Sequence, residues 1–294
     1  MDKLDEIRAL AIRHAGVKHP GMPRLNIYSI TEPTKMNCLV YDPMAFILLQ
    51  GTKRTIIGDK VFEYGPGQTM VVAAEVTAMG QIIEASPDKP FLAINLDLDP
   101  AVIMNVVLYL SQTPELQMQP GFAFSMANAE LIGAWQRLLG MYERPKEIPV
   151  MALHLEHELI FRLMLSPHAE MLRQIAGIDS RLSHIRQAMG WIREHYTEQL
   201  SVEDMAAVAG MSESVFHRRF KAVTALSPLQ YQKHIRLQEA RRRLVSKEAD
   251  AASISFAVGY KSSSQFSREY KRLFGEPPRR DADMVQTMVE TGLH

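Results

Sequence analysis

The chain of 294 residues is poor in the residues on which several kinds of protein depend. It has one cysteine, Cys38, so no disulfide can close within it, and a reducing, cytoplasmic setting is expected. No histidine occurs between positions 20 and 153, which leaves that stretch without an imidazole to offer a metal. The longest apolar run, residues 101–110, is interrupted by Asn105 and falls short of the roughly 20 residues that span a bilayer. The first 16 residues carry charges throughout and lack an uninterrupted apolar segment, so they read as an amphipathic helix rather than a signal peptide, and no membrane partner is expected. Formal net charge is zero as well.

The zero conceals an uneven distribution. Residues 1–178 hold 15 Lys+Arg and 19 Asp+Glu, whereas residues 201–280 hold 15 basic and 8 acidic residues, net +7. Length suggests two domains, with boundaries expected at 1–177 and 178–294, and the basic one is suited to a polyanion.

A repeat organises that basic part. Residues 200–228 (LSVEDMAAVAGMSESVFHRRFKAVTALSP) and 250–278 (DAASISFAVGYKSSSQFSREYKRLFGEPP) share one plan. A short Ala-rich helix ends at Gly210 or Gly259, a Ser-rich turn follows, and a second helix carries two aromatics four apart and then Lys. The pairs are Phe216/Phe220 with Lys221 and Phe266/Tyr270 with Lys271, a period of 50. Each copy is a helix-turn-helix on local grounds. Ser201 can cap the first helix with Asp204 as a capping-box partner, Leu200 and Met205 form a hydrophobic staple, and Ser212 can cap the second helix. The two motifs are expected at about residues 201–222 and 250–274, and residues 228–244 between them read as one helix with Pro228 at N1.

With Phe216, Phe220 and Val223 turned inward, Ser214, His217, Arg218 and Lys221 share the opposite face. Ser264, Ser267, Arg268 and Lys271 match them in the second copy. Groove recognition uses such groups: Arg bonds guanine in bidentate fashion, Ser and His reach base edges, and Lys pairs with phosphate. A spacer of about 25 Å fits two helices in successive major grooves about 34 Å apart, so double-stranded DNA is the expected partner.

The N-terminal part reads differently. Residues 4–17 suggest a leading helix, and residues 24–99 hold short β-like runs at 45–49, 55–57, 60–64, 70–74, 81–84 and 91–98. Gly58-Asp59 suggests a type II′ hairpin. Such strands imply a small barrel or sandwich and an α+β chain. Helices are expected after Pro100, with Leu131, Trp135, Leu138, Leu139 and Tyr142 on one stripe and residues 150–165 apolar on more than one face. A second copy of the chain, other helices or the strands could cover those faces. Residues 166–183 read as a linker.

On these residues the C-terminal part resembles the double helix-turn-helix domain of the AraC/XylS family of bacterial transcription regulators. The resemblance is carried by FHRRFK, SPLQYQKHIRLQEARRRL and AVGYKSSSQFSREYKRLFGEPP. It implies base contacts from Ser214, His217 and Arg218 and from Ser263, Ser264, Ser267 and Arg268, with Lys221, Lys271 and Arg272 on phosphates. YDPMAFILLQGTKRTIIGDKVFEYGPGQ and RLLGMYERPKEIPVMALHLEHELIFRLM are similar to the N-terminal domain of one AraC subfamily. That implies a cupin-like β-barrel followed by dimerising helices, a small-molecule effector, a homodimer and, for an activator, RNA polymerase as a partner; the effector is expected to be largely uncharged. Ala225 stands where the family usually has Gly, Ser255 replaces a usual Ala, and the histidines of enzymatic cupins are missing.

Other residues were weighed against plainer roles. His154 and His157, beside Glu156 and Glu158, lack a third ligand of matching spacing, so no metal, cofactor or catalytic set is expected. Cys38 reads as a buried apolar residue before a reactive one. Tyr28, Tyr41, Phe46, Phe62 and Tyr64 could line an effector pocket or fill the core, and Arg241-Arg242-Arg243 could be a solvated helix end. The alternatives are a constitutive dimeric regulator and a cupin-type enzyme joined to a DNA-binding domain.

Overall fold

The computed structural model describes residues 3–58, 60–110, 121–177 and 180–290. The chain divides into two compact units, 1–182 and 183–294. No helix among the described residues is long and apolar enough to cross a membrane.

The first unit is built on two antiparallel sheets. One has five strands in the order β1 (Leu25–Ile30), β8 (Phe91–Asp97), β3 (Met44–Gln50), β6 (Gln68–Val72) and β9 (Phe122–Met126). The other has four, in the order β2 (Asn37–Tyr41), β7 (Val76–Glu84), β4 (Thr52–Ile57) and β5 (Lys60–Tyr64). Strand β9 corrects the expectation that only helices follow Pro100, since it pairs with β6 from Gln68↔Met126 to Val72↔Phe122. Gly58 has a positive φ in the hairpin between β4 and β5, and its partner Asp59 lies outside the described residues.

Alternation along β3 and β8 explains the layering. Ala45, Ile47 and Leu49, with Leu92, Ile94 and Leu96, join a core supplied on its other side by helices, among them Leu131, Trp135, Leu138, Leu159 and Leu163. The helices are α1 (Lys3–His14), α2 (Pro100–Val107), α3 (Ala129–Leu139), α4 (Ile148–Met164) and α5 (Ala169–Ile175). The intervening residues, Phe46 on β3 and Asn95 and Asp97 on β8, turn away from that core toward the four-stranded sheet. The expected linker is therefore shorter than residues 166–183: α5 buries Met171, Leu172 and Ile175 in the core.

Helix α4 buries Leu155, Leu159, Ile160 and Leu163 yet leaves Val150 67% and Leu153 49% exposed, and Leu165 just past its end is 60% exposed. Its acids are engaged elsewhere. Arg24 donates to both carboxylate oxygens of Glu156, at 2.9 and 2.7 Å, and Arg137 pairs with Glu158. Cys38 on β2 is buried.

The second unit is helical: α6 (Ser180–Glu194), α7 (Val202–Val208), α8 (Glu213–Thr224), α9 (Pro228–Val245), α10 (Ala251–Ala257), α11 (Ser263–Phe274) and α12 (Pro278–Glu290). The aromatic ladder Phe216, Phe220, Tyr231 fills the first half, with successive ring centroids 5.2 and 5.4 Å apart. Tyr260, Phe266, Tyr270 and Phe274 fill the second, at 5.3, 5.5 and 4.5 Å.

Candidate DNA interface

Local chemistry sets each reading helix. Ser201 accepts from the Asp204 amide at 3.0 Å and Asp204 returns the contact to the Ser201 amide, closing the capping box of α7. Ser212 sits at the N-cap of α8 in extended conformation, but its side chain makes no capping bond, contrary to expectation. Its counterpart Ser262 does cap, accepting from the Gln265 amide at 3.4 Å. Both turns need glycine, for different reasons. Gly210 has φ +60 in open space, whereas a Cβ on Gly259 (φ +91) would collide with the Thr197 carbonyl.

That close approach is part of a clamp on the turn before α7. Gln232 on α9 donates to the carbonyls of Tyr196 and Glu198 at 3.1 and 2.7 Å, and Arg236 donates to the same two at 2.6 and 2.7 Å. Lys261, from the turn between α10 and α11, reaches Gln199 at 3.0 Å. One turn is thus held by the linker helix and by the second motif, which fixes the two motifs relative to each other. On the far side Arg241 donates twice to Asp281, at 2.8 and 2.9 Å, while the Tyr270 hydroxyl donates to the same carboxylate at 2.8 Å.

The cations then fall into two groups. Those on α9 are committed internally: Arg241 to Asp281, Arg242 to Glu239 and Glu248, Arg243 to Glu239, and Lys233 to Glu269. Within the triple-arginine run Arg241 is thus tied to a buried acid, while Arg242 stays exposed at the helix end as expected. Arg218 and Lys221 on α8, and Arg268, Lys271 and Arg272 on α11, are exposed and make no ion pair with any described residue. Ser214 and His217 share the exposed face of α8, and Ser264 and Ser267 that of α11. Ser263 is half-buried, toward the core side of its helix.

One residue on this face escaped the sequence reading. Gln265, exposed on α11, lines a concavity of about 400 Å³ with Arg268, Glu269 and Arg272. Its counterpart in the first copy is Val215, so matching the copies hides it, whereas the i, i+3, i+7 spacing of Gln265, Arg268 and Arg272 would have found it. Glu269 is held by Lys233 at 3.1 Å and by the Tyr260 hydroxyl at 2.9 Å, and it accepts from Gln265 at 3.3 Å.

In the first unit, the aromatic candidates lie between the sheets. The Phe46 and Tyr64 rings cross at 6.1 Å, and Phe62 and Tyr64 each lie 4.8 Å from Phe124. Phe122 and Phe124 of β9 complete a cluster that the sequence reading did not contain. Tyr41 is buried beside them, and Tyr28 is 41% exposed on the edge strand β1. Burial pushes the pKa of the Tyr64 hydroxyl far above the ordinary tyrosine value, and raises that of Tyr28 as well. Among the described residues no three His, Cys, Asp or Glu are grouped to hold a metal.

Residues 21–171 match the family profile of the AraC-type transcriptional regulator N-terminus, just over half of the chain, and residues 205–283 match a helix-turn-helix domain. The chain belongs to the AraC-type transcriptional regulators. Curated relatives include the HTH-type transcriptional activator RhaS of Enterobacter sp. (strain 638), 30% identical over 115 residues, which are 37% of this chain and 41% of that protein. RhaS of Salmonella schwarzengrund is 27% identical over 154 residues, 52% of this chain and 54% of its own length. The chain thus spans about two fifths to a half of these relatives. Unsaturated fatty acid bound ToxT from Vibrio cholerae shares the fold with a TM-score of 0.58 at 10% identity, covering 88% of this chain and 94% of that one. The AraC-type assignment agrees with the α+β architecture and with the doubled helix-turn-helix.

Proposed function

We propose that this AraC-type chain is a sequence-specific DNA-binding regulator that reads two adjacent major grooves, one with α8 and one with α11. The observation that carries the reading is the partition of cations. Arg241, Arg242 and Arg243 of the linker helix are paired with acids, while five cations on α8 and α11 stay exposed without an ion pair to any described residue. A polyanion would supply the counter-charge that these two helix faces lack.

Arg218 and Arg268, at equivalent places, take guanine edges, helped by Ser214, His217, Ser264, Ser267 and Gln265. Lys221, Lys271 and Arg272 take phosphates. The protein acts in the cytoplasm as a homodimer through the exposed stripe of α4, activates transcription with RNA polymerase, and responds to a small molecule held between the two sheets.

Binding of the full chain to a selected operator and to random DNA, followed by fluorescence anisotropy at fixed salt, tests the assignment. Arg218→Ala and Arg268→Ala are each expected to weaken operator binding by about 1 to 3 kcal/mol and to leave random DNA nearly unaffected. Lys221→Ala is expected to weaken both alike and to lower the salt dependence by about one counter-ion. Equal losses on both DNAs for the two arginine variants would remove the base-reading role.

A further inference from the structure

The space between the two sheets holds polar groups that packing alone does not require. Strand β4 alternates cleanly. Arg54 faces outward and pairs with Glu63, while Thr55 faces inward and bonds the Tyr64 hydroxyl at 3.0 Å. Lys53, two residues before Thr55, shares the inward face. Its stem passes over Gly80, where a Cβ would lie 3.5 Å from Lys53 Cε and would collide with Leu39. The missing side chain on β7 is what lets lysine lie flat there.

The Lys53 ammonium then stands 5.4 Å from the centroid of Tyr41 and 5.9 Å from that of Phe46, one ring from each sheet. It makes no ion pair with any described residue. One further polar atom in this layer, Asn95 Oδ1, is buried without a hydrogen-bond partner, and the buried Tyr41 hydroxyl has only the Tyr64 hydroxyl beside it. Tyr41 and Asn95 are only 8% and 5% exposed, and Asn95 stands opposite Phe46 in the register of β3 and β8. The Asn95 amide nitrogen is already used on Asp97 at 3.1 Å, so its carbonyl oxygen is left as a free acceptor. A half-buried cation with no ion pair to a described residue and a buried carbonyl oxygen with no donor, beside the Tyr41 hydroxyl and bounded by aromatic rings, form a set that carries a desolvation penalty until something binds it.

We infer that the effector of this regulator is an organic anion, in place of the largely uncharged molecule expected from the sequence: a small carboxylate with an aromatic or apolar body and a hydroxyl or amino substituent. Lys53 and the Tyr41 hydroxyl take the carboxylate, Asn95 Oδ1 accepts from the substituent, and Phe46, Tyr64 and Phe124 pack against the body. The inference deepens the effector part of the proposed function and is independent of the DNA-reading part.

Thermal unfolding of the full chain against benzoate, salicylate, phenylacetate and 2-naphthoate, each beside its primary amide, tests it. A ligand that binds only the folded state must raise the melting temperature with concentration. The carboxylates are expected to raise it and the amides to do so far less. Lys53→Met is expected to lose roughly 10- to 100-fold in affinity for the carboxylates, the range for a charge-assisted bond, and Lys53→Arg to keep most of it. The Met variant without ligand should melt no lower than the parent, because it removes an unpaired charge. Should it fail to fold, the carboxylate and amide comparison on the parent chain decides alone. The inference is overturned if no carboxylate shifts the parent at millimolar concentration, if the amides shift it equally, or if folded Lys53→Met binds like the parent. Operator binding measured on the same samples separates this failure from failure of the DNA-reading proposal.

Discussion

The repeat supplies its own control for backbone strain. Helices α8 and α11 end in the same left-handed cap, with Ala225 at φ 62 in the first and Gly275 at φ 85 in the second. Both cap amides bond back four residues, to Lys221 at 2.9 Å and Lys271 at 2.8 Å. Nothing lies within 4 Å of a Cβ placed on Gly275, so Gly275→Ala adds no clash and changes only the backbone preference. A left-handed L-residue costs roughly 1 to 2 kcal/mol, and the stiffer unfolded chain returns about 0.4 to 1. The net loss is about 1 kcal/mol, and Ala225→Gly should gain about as much. For a unit of this size 1 kcal/mol moves the midpoint by about 4 °C. Calorimetry of the full chain, following the transition of residues 183–294, should show Gly275→Ala melting lower and Ala225→Gly higher, with the double exchange near the parent. Shifts of the same sign for the two single variants would refute the reasoning, since one cap geometry cannot favour glycine at one site and disfavour it at the other.

Burial and buried charge give further tests. His168 is fully buried, its Nε2 lies 2.8 Å from the Ser125 hydroxyl, and burial lowers its pKa from 6.5 to about 4. The folded state keeps it neutral while the unfolded chain takes up a proton below pH 6.5. Stability of the first unit is therefore full above that pH and declines toward pH 4, by roughly 3 kcal/mol at the acid end. His168→Gln should flatten urea midpoints across that window, and an unchanged profile would exclude His168 as the cause. Asp281, 5% exposed, serves both Arg241 and Tyr270, so Asp281→Ala should lower the stability of the second unit by about 3 kcal/mol in denaturant titrations. Leu153→Glu with Phe161→Glu on the exposed stripe of α4 should give a monomer in sedimentation, and a persisting dimer would place the contact elsewhere.

Much of the second unit was legible because its determinants are close in sequence. The Ser201–Asp204 box, the Pro228 helix start and the inward phenylalanines all act within a turn or two. What escaped depends on partners far along the chain. Arg241 looked solvated because Asp281 is 40 residues away. Residues 169–175 looked like linker because the core that buries Met171 and Leu172 comes from other elements. The fifth strand of the larger sheet, β9, offers only five residues after Pro120-Gly121, and what makes it a strand is its pairing with β6, some fifty residues earlier. Alternation could place Lys53 on the face of Thr55, but only the pairing of both sheets brings Tyr41, Phe46 and Asn95 around it.

The two copies agree inside and diverge outside, and the divergence makes the reading heads unequal. Their cores repeat Phe216 and Phe220 as Phe266 and Tyr270. On the surface Val215, Arg219 and Ala222 become Gln265, Glu269 and Arg272. Glu269 ties α11 to Lys233 on the linker helix and to Tyr260, whereas Arg219 reaches the Met211 sulfur at 4.0 Å. The second helix is thereby braced before DNA arrives, and it presents three exposed cations, Arg268, Lys271 and Arg272, against Arg218 and Lys221 on the first. A braced surface loses less freedom on binding, and each added phosphate contact releases about one more counter-ion. On the proposed reading, affinity and salt dependence are expected to fall more heavily on the second copy than on the first.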